Sequence, residues 1–315
     1  MACNYCGSDE FNIIAEYTRF EKNNVLSCKN CGLVYLEVEA EKREIERFYS
    51  SQYREVPTLP VQSPEEHFRD KVTQNDANNR ILFISDNIDI RDKRILEIGS
   101  ASGSLLQKLL EHGCKEAIGV ELDEKFSKYA VERGFQVFTR SIEELDFKEE
   151  FDAVVSFHTL EHVYAPKAVI QAIYAALRGE GCFLGEVPNQ NDWRIEIFND
   201  EVIKRFHYDP YHLFYYSPTT LTNYLKACGF RDIKLETVER YNSLLQLRNI
   251  LCQSNSRKNI DETLKKYIFP SDERDECRLP NTVHETEAKF NRIFEKWVNS
   301  ELMGNCLRWV ARPVI

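Results

Sequence analysis

The sequence predicts an α/β fold: a doubly wound parallel sheet with a small cysteine-rich module ahead of it. Three observations carry that reading. From residue 93 onward, apolar runs of strand length alternate with amphipathic stretches of helix length, as in a sheet covered on both faces. A glycine-bearing loop follows the first run, and an acid closes the second. Two cysteine pairs, each followed by glycine, fall within the first 32 residues.

Cys3 and Cys6 precede Gly7, and Cys28 and Cys31 precede Gly32. Two intervening residues let both thiolates of a pair reach one ion, and the glycine allows the tight turn that aims N–H groups at sulfur. Four soft ligands make a closed tetrahedral site for a structural Zn²⁺. Residues 11–17 and 24–28 read as the hairpin of a zinc ribbon spanning 1–38. A redox pair would instead occur once, beside a βαβ unit. Residues 39–90 form a helical linker or lid. It holds a charged helical stretch over 39–48, Tyr49 and Tyr53, a loop over 57–64 with three prolines, and helical periodicity over 65–90. Ala77, Ile81, Leu82 and Ile84 form the apolar stripe of that last stretch.

The core is predicted over 91–242. Strands are expected at 94–98, 117–122, 136–139, 151–157, 182–187 and 231–239. Helices are expected at 104–111, 124–133, 167–177 and 219–227, the last with Ser217 as N-cap and Pro218 at the first helical position. Ligands bind at the carboxyl ends of such strands. The first loop there carries Glu97, Gly99, Ser100, Ala101 and Gly103. Gly99 permits the sharp turn out of the strand, and Gly103 lets the backbone approach a ligand. Glu121 ends the second strand, where a carboxylate can accept hydrogen bonds from both ribose hydroxyls.

This order of motifs resembles the class I S-adenosylmethionine (SAM)-dependent methyltransferases over residues 90–240. Their first motif, an acid followed by alternate glycines, aligns with residues 96–103, with Ala101 replacing the middle glycine. The resemblance implies a Rossmann-like sheet, parallel with an antiparallel last strand. Residues 306–311 fit that strand, in a final core segment 304–315, which leaves 243–303 as a helical insertion. It also implies SAM as cofactor, with Glu121 and Leu122 at the ribose, Ser141 and Ile142 flanking adenine, and Phe157 at the end of the fourth strand.

His158, Glu161 and His162 follow that strand at i, i+3 and i+4, a spacing that places all three on one helical face. Glu186 and Asn189 follow the fifth strand, and His207, Tyr211 and His212 precede Ser217. These segments resemble the methyltransferase subgroup with LEHV, VPN and H-L-x-x-F/Y-S motifs. Several of its members carry an N-terminal four-cysteine module and act on nucleotide-linked sugars, glycans and secondary metabolites. The resemblance implies a small-molecule or sugar acceptor and O-methylation first, with C- or N-methylation as alternatives. His212 is then the first choice of base, His158 the second, and Glu161 and His162 complete the catalytic set. Tyr49, Tyr53, Asn189, His207 and Tyr211 would touch the acceptor. A neutral histidine suits proton removal near pH 7. The ubiquinone-pathway O-methyltransferases and small-RNA 2′-O-methyltransferases use an ExxEH metal site. Here His158 stands in the first position, although the set could still chelate a divalent ion.

The net charge of −10 over 315 residues argues against wrapping a nucleic-acid backbone. A nucleic-acid base methyltransferase would also carry an Asn/Asp-Pro-Pro-aromatic loop where this chain has Phe157, His158, Thr159 and Leu160. No apolar run approaches the ~20 residues of a membrane span. The first residues lack the regions of a signal peptide, so a cytoplasmic protein is expected. Cys114, Cys182, Cys228, Cys252, Cys277 and Cys306 read as small hydrophobes. Leu244, Leu247, Ile250, Leu264, Tyr267, Phe290, Phe294 and Trp297 anchor the insertion. It would either shape the acceptor pocket or serve packing and a homodimer contact. The rival classes are a nicotinamide oxidoreductase and a SAM-binding partner protein without catalysis.

Overall fold

The structure, a computed structural model, describes residues 2–56, 63–198, 201–240 and 281–314. The cysteine module forms a hairpin of β1 (Phe11–Tyr17) and β2 (Lys22–Cys28), extended by β3 (Val34–Leu36). Three helices follow: α1 (Lys42–Ser51), α2 (Pro64–Arg69) and α3 (Lys71–Asn87). Ser63 closes a capping box with Glu66 on α2, and Asp70 accepts from the Thr73 N–H at the start of α3.

In the core, β4 (Arg94–Ile98), β5 (Glu116–Val120), β6 (Gln136–Phe138), β7 (Phe151–Phe157) and β8 (Leu177–Pro188) run parallel. Two further strands, β10 (Phe230–Val238) and β11 (Cys306–Pro313), complete an order of β10-β11-β8-β7-β4-β5-β6. β11 runs antiparallel to both neighbours. The connecting helices are α4 (Ser104–Glu111), α5 (Glu124–Glu132), α6 (Pro166–Ala176), α7 (Trp193–Phe198), α8 (Glu201–His207) and α9 (Pro218–Ala227). The two-residue strand β9 (Phe214–Tyr215) leaves the core and pairs with β3. The expected sheet, its antiparallel last strand and the small cysteine-bearing sheet are therefore all present.

Alternation along the strands divides the core into two layers. Ile95, Ala153 and Val155 pack with Ile81, Ile84, Leu105 and Leu109 of α3 and α4. Leu96, Ile98 and Val154 face the opposite layer, with Ile170, Ile173, Leu221 and the cysteine module. The sheet reverses its winding between β4 and β7, which fixes the ligand crevice at their carboxyl ends.

Two local expectations are corrected. Leu82 is 60% exposed, because it lies roughly 100–160° around the helix from Ala77, Ile81 and Ile84, while Phe83 is buried. Residues 158–164 form turns, not a helix, so His158, Glu161 and His162 do not share a helical face. Leu244, Leu247, Ile250, Leu264, Tyr267, Cys252, Cys277 and the Phe290 side chain lie outside the described residues. On α10 (Asn281–Ser300), Phe294 meets the Trp193 ring at 5.0 Å, while Trp297 is half-exposed. Among the described residues no helix is long and apolar enough to cross a membrane.

Candidate active site

A cavity of about 860 Å³ opens at the carboxyl ends of β4 and β7, within the range of small-molecule sites. Its first half is built on the β4 loop. Gly99 sits at φ +79°, and a Cβ there would lie 2.2 Å from the Thr159 hydroxyl oxygen. Glycine is therefore required for the turn and for the loop beyond β7. At Gly103, φ +85°, an added Cβ would lie 2.8 Å from the Phe135 ring, so glycine also makes room for that ring. Ala101, where the family motif has glycine, adopts φ +47°. Its N–H donates to Glu121 Oε2 at 2.7 Å, and the Asp123 N–H donates to Oε1 at 2.8 Å. Glu121 is thus fixed at the end of β5, its pKa raised by burial against the opposing pull of Arg54.

Glu97 is 2% exposed, and burial pushes its pKa up to about 8, with Arg80 opposing and Glu121 adding. Its Oε2 and the Arg80 Nε are buried without hydrogen-bond partners among the described residues. Ser100, Leu122, Ser141, Ile142 and Phe157 line the same half. So does His67, which bonds Ser102 through Nδ1 at 2.8 Å and is lowered by burial to about 4. Arg54, His67 and Arg80 were not legible in the sequence. They come from helical segments preceding the core, where no motif marks them.

The second half gathers histidines and tyrosines. His158, at φ +53°, leaves β7 and places Nδ1 3.2 Å from Glu161 Oε1 and Nε2 2.8 Å from Glu186 Oε1. Burial opposes its charge, but bonds to Cys306, Glu161 and Glu186 prevail and hold its pKa well above the usual value. The Arg240 guanidinium also approaches Nε2, at 2.9 Å, so both ring nitrogens of His158 are engaged within the chain. Burial also works against the charge of Glu161, yet His158 and the neighbouring His162 and His212 hold it at about 2. The Nδ1 of His162 lies 3.0 Å from the Tyr211 carbonyl oxygen and 3.1 Å from the Tyr49 hydroxyl. His212 faces His162, ring centroids 4.9 Å apart, and its Nδ1 is buried without a partner among the described residues. Burial, reinforced by His162, lowers His212 to about 3, so it is neutral at pH 7. Glu161, His162 and His212 each offer a ligand atom, all within 4.8 Å of one another.

Tyr49 and Tyr53 line the cavity, and behind them Tyr211 stacks 5.5 Å from Phe48, with Tyr53 6.0 Å from Tyr211; Tyr211, expected at the acceptor, is not part of the lining. His207 lines the cavity as well, lowered by burial to about 4. Asn189 does not. Its amide donates to the carbonyls of Leu302 and Gly304, at 3.0 and 2.7 Å, and its Oδ1 accepts from the Asn191 N–H. Both side-chain polar atoms are engaged in joining β8 to the approach of β11, so Asn189, expected at the acceptor, lies outside the cavity lining.

Away from the cavity, the sulfurs of Cys3 and Cys31, and those of Cys6 and Cys28, lie 3.5 Å apart, and all four fall within 4.8 Å. A tetrahedron of metal–sulfur bonds of ~2.3 Å has edges of ~3.8 Å, so the thiols match a four-thiolate centre.

Residues 66–235, more than half of the chain, match the methyltransferase domain family. The chain belongs to that family. It carries a SAM-dependent methyltransferase domain, and the cavity lies where its sheet reverses. A ubiquinone biosynthesis O-methyltransferase of Idiomarina loihiensis is 30% identical over 172 residues, which cover 50% of this methyltransferase and 69% of that protein. One from Dechloromonas aromatica is 32% identical over 120 residues, covering 36% and 51%. The methyltransferase thus spans about half the length of several curated relatives it matches. A SAM-dependent methyltransferase structure from Archaeoglobus fulgidus overlays with a TM-score of 0.48 at 21% identity, covering 79% of this chain and 97% of that one.

Proposed function

We propose that this methyltransferase O-methylates a small-molecule acceptor, a sugar or secondary metabolite, with His212 as general base. One observation carries the reading: an imidazole that lines the half of the cavity away from the glycine loop, its Nδ1 unengaged among the described residues. SAM supplies an electrophilic methyl group when bound. Glu121 would take the ribose hydroxyls, Ser141 and Ile142 the adenine. Glu97, which a bound ammonium group would ionise, and the Arg80 guanidinium would face the zwitterionic amino-acid end, and their unpartnered atoms support that use. Tyr49 and Tyr53 would hold the acceptor near the methyl group, with Tyr211 packed behind Tyr53. His212 then takes the acceptor hydroxyl proton as the O–CH₃ bond forms and the S–CH₃ bond breaks.

A second reading rests on the convergence of Glu161, His162 and His212, with Glu161 Oε2 unpartnered: these residues would hold a divalent cation that polarises the acceptor oxygen. Methyl transfer from labelled SAM to a panel of phenols, sugars and nucleotide-sugars separates the two. Activity that survives chelator supports the base; activity restored only by Mg²⁺ or Mn²⁺ supports the cation. No transfer to any hydroxyl acceptor rejects O-methylation.

Glu121→Ala is expected to weaken S-adenosylhomocysteine binding at least about tenfold, roughly 1.4 kcal/mol, by calorimetry. Unchanged affinity would remove Glu121 from the donor site. The four-cysteine module is read as a structural zinc site. Metal analysis should find about one Zn²⁺ per chain, lost from Cys28→Ser/Cys31→Ser. Zinc retained by that variant would refute the ligand set.

A further inference from the structure

The cysteine module is tied directly to the two loops that carry the acceptor-side histidines. β3 pairs antiparallel with β9, Val34 opposite Tyr215 and Tyr35 opposite Phe214. The Leu36 N–H donates to the Leu213 carbonyl at 3.0 Å. β9 starts two residues after His212, so the strand the module holds is the continuation of the His212 loop. That loop in turn grips the other one, because the N–H groups of Leu213 and Phe214 both donate to the Glu161 carbonyl, at 2.7 and 3.2 Å. The first cysteine knuckle reaches the same region from a second direction. Asn4 Nδ2 donates to the Tyr164 carbonyl at 3.1 Å, two residues beyond His162, and Tyr5 packs on Tyr224 of α9 at 4.6 Å. Cys3, Cys28 and Leu33 share one apolar cluster with Leu160, Leu213 and Tyr216.

Strands of three and two residues do not persist alone. β3 is held by β2, with Val25 opposite Leu36 and Ser27 opposite Val34, and the second knuckle is the turn that joins the two. Cys31 lies three residues before Val34, and the Cys28 N–H donates to the Leu33 carbonyl at 2.9 Å, so the positions of these two thiols set where β3 begins. The donor half stands on β4 and β5 instead. We propose that the metal-loaded cysteine module is a positioning element of the active site, whose edge strand β3 holds β9 and thereby places His212 and the Glu161–His162 turn. This rests on the reading of His212 and of a structural zinc given above.

The test compares the full zinc-loaded chain with the same chain stripped by chelator, and adds Leu36→Pro. The substitution keeps all four cysteines and removes the N–H donated to Leu213, together with the buried Leu36 side chain. Zinc content, S-adenosylhomocysteine affinity and amide hydrogen exchange are measured on each. Stripping is expected to leave affinity within about threefold. Peptides covering 159–164 and 211–217 should exchange at least about tenfold faster. Leu36→Pro should keep its zinc and its affinity and lose protection at 211–217 alone. Unchanged protection there, in the stripped chain or in zinc-loaded Leu36→Pro, overturns the proposal; if stripping unfolds the chain, Leu36→Pro decides. A chain purified without zinc refutes the metal reading, while Leu36→Pro still tests the strand contact separately.

Discussion

His212→Ala is expected to bind S-adenosylhomocysteine with unchanged affinity and to lose about 10²–10⁴ in turnover on a hydroxyl acceptor, the usual contribution of a general base. The split follows from geometry. The imidazole lies against His162, in the tyrosine-lined half of the cavity, whereas the Glu97–Gly103 loop and Glu121 build the other half. Binding is read by calorimetry and turnover by transfer of labelled methyl. Near-full activity would make His212 a packing residue. A loss accompanied by disappearance of a Mg²⁺ requirement would identify it as a cation ligand. His162→Ala is the companion measurement, since His162 spends Nδ1 on the Tyr211 carbonyl and should act mainly by holding that loop.

Glu186→Ala should cost stability at the low end of the about 3–5 kcal/mol of a broken buried pair, because it removes the buried carboxylate that His158 and Arg308, both partly exposed, share. Glu186 is 1% exposed and receives His158 Nε2 at 2.8 Å and Arg308 Nε at 2.6 Å, with Arg240 Nε 3.8 Å away. Burial opposes its charge, and His158, Arg308 and Arg240 hold its pKa far below the usual carboxylate range. The same carboxylate ties β8 to β11 across the sheet and anchors His158 at its strained φ of +53°. Thermal unfolding should shift down on the order of 10 °C. Glu186→Gln, which keeps an acceptor for one of these donors, should lose less. A shift below about 2 °C for Glu186→Ala would show that the cations find other partners.

The donor half was legible in the sequence because it depends on local chemistry. Gly99 and Glu121 fall where a strand must turn and where a strand must end, and the structure puts them there. The acceptor half was legible only as a set of residue types. His158, Glu161 and His162 follow one another closely, and helical spacing suggested one face. The segment turns instead, sending His158 to Glu186 and His162 to Tyr49 and Tyr211. Asn189 looked like a binding residue from its place after the fifth strand, yet its bonds run to residues more than a hundred positions later.

By itself, the sequence determined the order of strands and helices, the turn at Gly99, the acid at Glu121 and the two cysteine pairs, because periodicity and short spacing encode them within a few residues. Tertiary structure alone decided which histidine has both ring nitrogens engaged and which keeps an unengaged one. That outcome depends on Glu186, brought from β8, 28 residues away from His158. It alone brought Arg80 beside Glu97, and it alone joined β3 to β9, a pairing of strands about 180 residues apart that no local pattern records.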